Sequence, residues 1–123
     1  MNQNSKHDYD LEERLIDFAV RVMTVVEALP DTRIGNHVGG QVLRSGTSPA
    51  ANYGEAQSAE SRRDFVHKMK LALKELRETN IWLRMIQRKP LIEPTDKLDS
   101  IVTECNELIA SFVSSVRTAE KNK

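Results

Sequence analysis

The sequence predicts an all-α protein: an antiparallel, up-down-up-down four-helix bundle with a kinked second helix. Three observations point there. Apolar residues recur at alternating steps of three and four along three long windows, the period of a helix with one buried face. Only 5 Gly and 4 Pro occur in 123 residues, too few turn formers for a sandwich or barrel. The windows are joined by short connections carrying Pro30, Pro90 and Pro94, and short connections favour antiparallel neighbours. A chain of this size has room for one core, so residues 9–121 are read as a single domain and residues 1–8 as a flexible polar tail.

In the first helix Leu11, Leu15, Phe18, Val22, Val25 and Leu29 share one face. It is expected to start near Asp10, whose carboxylate can accept from the free amides of the first turn, and Pro30 ends it. Ile16, Ala19, Met23 and Val26 widen the apolar surface beyond one stripe, which predicts contact with two neighbours or a second subunit.

A second helical segment begins at Thr32 or Arg33 and runs to about Ala59, although it holds all five glycines and Pro49. Proline lacks an N–H and crowds the carbonyl four residues back, so a kink or a break is expected around Ser45 to Ser48, and the segment is read as one kinked helix. The small residues let neighbouring backbones approach closely, offsetting weak intrinsic propensity through packing. Arg44, Ser48, Asn52 and Glu55 share one face among Ala and Gly. They are read as a structural polar network or subunit interface, with Glu75 or Glu78 as partners for Arg44; a ligand site is the less favoured alternative.

The third helix is expected from about Ser61 to Arg88, capped by Ser61 or the residue before it, with Phe65, Met69, Ala72, Leu76, Thr79, Leu83 and Ile86 inward. Trp82, near Glu78 and Met85, reads as a core or interface anchor. Leu98, Val102, Cys105, Ile109, Phe112 and Val116 define the fourth helix after Pro94. One cysteine cannot form an internal disulfide, and Cys105 is read as a buried small hydrophobe.

The 18 basic and 18 acidic side chains cancel, so the whole chain carries no field that attracts nucleic acid or membrane. Locally the balance differs. Residues 61–90 hold nine basic and three acidic groups, whereas residues 1–30 hold three basic and six acidic. At about 100° per residue, Arg63, Lys70, Lys74, Arg77, Arg84 and Arg88 fall within about 80° of one another, opposite Phe65. This ridge is either a solvated face, paired with the acidic first helix, or a surface for nucleic-acid phosphates. Val66, Leu73 and Ile81 lie in or beside it, which predicts that another subunit covers part of the third helix. No aromatic residue is interleaved with the bases, so backbone phosphate, rather than stacked bases, is the contact available.

No glycine loop follows a strand, and no nucleophile elbow is present. Asp64 and His67 approach half of a bundle di-iron motif, but His7 and His37 do not complete it. No catalytic residue, cofactor or metal is therefore nominated. The amino-terminal residues lack the apolar core of a signal peptide and no window approaches a membrane span, so a cytoplasmic location is expected.

Leu43-Arg44-Ser45-Gly46-Thr47-Ser48-Pro49-Ala50-Ala51-Asn52-Tyr53-Gly54-Glu55-Ala56, together with Asp64-Phe65 and Lys70-Leu71-Ala72-Leu73-Lys74-Glu75-Leu76-Arg77-Glu78-Thr79, resembles the four-helix-bundle proteins encoded in intervening sequences of 23S ribosomal RNA genes. The likeness extends from about Tyr9 to Gln87, and more loosely through the fourth helix. It implies an antiparallel bundle assembled into a ring-like homo-pentamer, with no established enzymatic activity. That family is similar in turn to accessory proteins of diversity-generating retroelements, whose pentamers bind a reverse transcriptase and nucleic acid through basic surfaces. The implied partners are other copies of the chain, and RNA or a nucleic-acid enzyme. This chain departs from those relatives in its neutral net charge.

Overall fold

A computed structural model describes residues 3–122, with side chains from Leu11 onward. Four long helices account for nearly all of it: α1 (Gln3–Ala28), α2 (Arg33–Gln57), α3 (Arg62–Arg88) and α4 (Asp99–Lys121), with a short 3-10 turn over Thr95–Leu98 before α4. α1 starts at Gln3, so Asp10 lies within the helix and does not cap it. Met1 and Asn2, part of the expected tail, lie outside the described residues.

Local chemistry sets the other boundaries. Thr32 has extended backbone and its hydroxyl accepts from the Gly35 amide at 3.0 Å, which starts α2. Ser61 does the same for α3 through the Asp64 amide at 3.0 Å, and Asp64 in the first turn suits the positive end of the helix dipole. α2 is a continuous α-helix through Pro49, so the segment from Ser45 to Ser48 does not break.

Each helix packs on its sequence neighbours, and α4 returns to α1, while the diagonal pairs α1–α3 and α2–α4 make no backbone approach among the described residues. That is the square cross-section of an up-down-up-down bundle. α2 and α3 pack most closely and α1 and α4 least. Gly46 shows one reason α2 carries small residues: a Cβ there would stand 2.7 Å from Val22 Cγ1 on α1.

Phe18, Met69, Leu76, Leu83, Leu108 and Phe112 are fully buried in the centre, each stabilising the fold by about 1.5–3 kcal/mol through removal from water. Tyr53 and Phe112 meet edge-to-face across the diagonal, ring centroids 6.0 Å apart. In α4 the buried set is Ile101, Cys105, Leu108, Phe112 and Val116, continued by Leu98 of the 3-10 turn, whereas Val102 and Ile109, expected inside, are only partly buried. Phe65 is likewise half-buried. The core lies slightly to one side of the stripes read from spacing.

Candidate functional site

Two features of this scaffold bear on function: a polar seam between α2 and α3, and the charged and apolar outer faces of α1 and α3. At the centre of the seam Thr79 Oγ1 lies 2.8 Å from Ser45 Oγ and 2.8 Å from the Glu75 carbonyl, both hydroxyls fully buried. The Thr79 proton can serve one of these contacts and the Ser45 proton the Thr79 oxygen, so neither group is left without a partner.

Above this pair Arg44 pairs with Glu75 at 2.9 Å and with Glu78, and Trp82 Nε1 donates to Glu78 at 3.0 Å. His37 lies edge-on to Trp82 with ring centroids 6.1 Å apart. Desolvation pulls the Arg44 pKa down, but hydrogen bonds and charge from Glu75 and Glu78 outweigh it and hold the guanidinium above its ordinary value. The seam thus brings Arg44 together with Glu75 and Glu78. Of the rest of the expected face, Glu55 also reaches α3, pairing with Lys68 at 3.1 Å farther along, whereas Asn52 donates to Ser48 within α2 at 3.0 Å. His37, Ser45 and Thr79 join a network that periodicity did not nominate. The one available signal was Thr79, a hydroxyl in an apolar stripe.

The six ridge residues Arg63, Lys70, Lys74, Arg77, Arg84 and Arg88 are all exposed along α3. Lys70 pairs with Glu120 on α4 at 3.3 Å, and the other five make no ion pair among the described residues. Pairing with acidic α1 within the protomer is ruled out, because α1 and α3 are diagonal to each other. Of the apolar residues in the ridge, Val66 and Leu73 pack partly against the core of the protomer itself. Ile81 does stand out, 49% exposed, with Met85 beside it.

On α1, Arg14 forms two hydrogen bonds to Glu104 of α4 at 2.9 and 3.1 Å, and Arg21 reaches Ser100. Arg14 and Arg21 are therefore turned toward α4. Ile16, Val20 and Met23 are exposed on the other side, and Leu43 of α2 is exposed as well. Val20 and the acids around it escaped the reading of spacing, although positions 16, 20, 23 and 27 repeat the helical period on a second face.

The buried interior offers no reactive centre among the described residues. Burial pushes the Cys105 thiol up to about 12, with a hydrogen bond from Asn80 working against that and the Glu104 charge adding to it. Its Sγ lies 3.3 Å from the Leu76 carbonyl. No three His, Cys, Asp or Glu side chains gather to hold a metal among the described residues. An open hollow of about 620 Å³ between the start of α3 and the end of α4 is lined by Arg62, Arg63, Val66, Ala119 and Glu120, without a base and nucleophile in register. Among the described residues no helix is long and apolar enough to cross a membrane.

A bundle with a closed apolar core and a polar seam joining two of its helices belongs to the class of small all-α helical-bundle proteins. The chain belongs to the 23S rRNA-intervening sequence protein family, whose profile matches residues 7–114. It is also similar to the crystal structure of a protein of unknown function from the S23 ribosomal protein family of Bacteroides thetaiotaomicron, with 34% identity and a TM-score of 0.80 over 86% of this chain and 97% of that one. No curated protein matches the chain.

Proposed function

We propose that this protein is a non-enzymatic, cytoplasmic scaffold or adaptor that works as a homo-oligomer, a pentamer as its family likeness suggests. The observation that carries this reading is the set of large apolar side chains left outside a bundle whose core is already complete. Ile16, Val20 and Met23 on α1, Ile34 and Leu43 on α2, and Ile81 and Met85 on α3 are each between 39% and 52% exposed. Clustered apolar side chains outside a small bundle mark an interaction surface more often than a solvated one. Gly40 and Gly54 support the same reading, since a Cβ at either position would meet nothing within 4 Å. Each weakens α2 by about 1 kcal/mol relative to alanine with no reason inside the protomer.

Size-exclusion chromatography with light scattering tests the reading. The expected mass is a fixed multiple of the 14.0 kDa chain at micromolar concentration, and a clean monomer would overturn it.

A second reading, RNA or other nucleic-acid backbone binding through α3, is favoured by the five ridge cations that lack an ion pair among the described residues. Contact with phosphates would release counterions, so retention of a structured RNA would fall steeply with salt, and Lys70→Glu with Lys74→Glu and Arg77→Glu would abolish it. Absence of retention at low ionic strength would end this reading.

A further inference from the structure

Two outer faces of the protomer are complementary in charge, apolar content and length, yet point away from each other. At about 100° per residue, Glu13, Ile16, Val20, Met23 and Glu27 fall within about 80° on the outside of α1. The apolar residues are central and an acid stands at each end. On the outside of α3, Lys74 and Arg77 precede Ile81, and Arg84 and Arg88 follow it, so the apolar centre is bracketed by bases. Glu13 to Glu27 and Lys74 to Arg88 each cover fourteen residue steps, about 21 Å at 1.5 Å per residue.

The neighbouring helix extends each face. Gly39 and Gly46 hold α2 against α1 at Val26, Leu29 and Val22, and Leu43 lies on that side of α2, adding to the acidic face. The antiparallel register that sets His37 beside Trp82 carries Ile34 to the level of Met85, adding to the basic face.

We infer that the acidic, apolar face of α1 docks on the basic, apolar ridge of α3 of a second copy of this chain, so that subunits join head to tail. This rests on the self-assembly proposed above and specifies its interface. The two faces cannot meet within one protomer, because α1 and α3 are on the diagonal of the bundle. Joining like faces would set acids against acids and bases against bases, which costs several kcal/mol when desolvated. Unlike faces bring an apolar centre onto an apolar centre, with opposite charges at both ends and the arginine and lysine stems lying along the seam. Such a heterologous contact leaves one face free on each terminal subunit, and it closes into a ring where the rotation between neighbours permits.

The ridge is then a subunit contact, which accounts for Ile81 and Met85 standing among its bases. A phosphate-binding ridge has no use for them.

Charge reversal decides it, read by light scattering at low ionic strength with circular dichroism to check helix content. Glu13→Lys with Glu27→Lys should drop the wild-type mass to the 14.0 kDa protomer, and so should Lys74→Glu with Arg88→Glu. The variant carrying all four changes should regain the wild-type mass. Ile81→Ser, which alters no charge, should raise the dissociation constant at least tenfold. If either reversed pair keeps the wild-type mass, or the fourfold variant stays monomeric, this pairing of faces is overturned while the assembly stands. A monomeric wild type removes both. A ridge-reversed variant that keeps its mass but no longer retains a structured RNA would give the ridge to nucleic acid instead and overturn the contact.

Discussion

Cys105 behaves as part of the core, and its chemistry follows from that placement. A neutral thiol in an apolar interior is a poor nucleophile, so a thiol-specific reagent should leave the native protein unlabelled and label it fully once guanidinium unfolds it. The raised pKa also has a consequence for stability. The unfolded thiol ionises near 9.0 while the folded one holds its proton to about 12, so the unfolded state gains stability as pH rises through that window. Stability should therefore fall above about pH 9 in urea titrations, and Cys105→Ala should lack this component of the fall. The buried Ser45–Thr79 pair gives a second prediction at this scale. Thr79→Val strands the Ser45 hydroxyl and should cost about 1–3 kcal/mol, whereas adding Ser45→Ala should cost less than the sum of the single changes. Arg44, half exposed, should matter less to stability: Arg44→Ala removes surface ion pairs that contribute about 0–1 kcal/mol each.

At the scale of the element, α2 is the helix whose sequence argues against it and whose neighbours hold it. Five glycines and Pro49 lower its intrinsic propensity, and close packing on α1 and α3 compensates. The glycines are not equivalent. Gly46→Ala should lower the urea midpoint, because the new methyl group would need Val22 to move by several tenths of an ångström in a packed interior. Gly40→Ala and Gly54→Ala meet open space and should each raise protomer stability by up to about 1 kcal/mol. Should the Gly40 or Gly54 variant also weaken self-association, α2 contributes backbone to the subunit contact. α4 illustrates the limit of reading a stripe from spacing. The sets 98-102-105-109-112-116 and 98-101-105-108-112-116 are both built from steps of three and four, and only the direction of the bundle axis selects the second.

For the whole molecule, the balance of 18 positive and 18 negative side chains conceals two opposed faces, and this arrangement bears on assembly more than net charge does. Because the charges of such a contact lie at its rim, raising the ionic strength should slow association more than it speeds dissociation; stopped-flow mixing of dissociated subunits would measure this. The mass of the assembled particle should persist at high salt, since the centre of the proposed contact is apolar.

The sequence by itself determined four helices, the start of the third at Ser61, most of the core and the basic ridge, because each depends on spacing along one helix or on chemistry within one turn. It also offered Glu75 or Glu78 as a partner for Arg44, and the tertiary structure assigned both. Tertiary structure alone decided that Asn52 turns to Ser48 within its own helix, that Ile101 and Leu108 point inward, and that α1 and α3 lie on a diagonal without close backbone approach. These depend on which helices are neighbours and how each is rotated about its axis. Periodicity records the width of an apolar face but not the direction in which its partner lies.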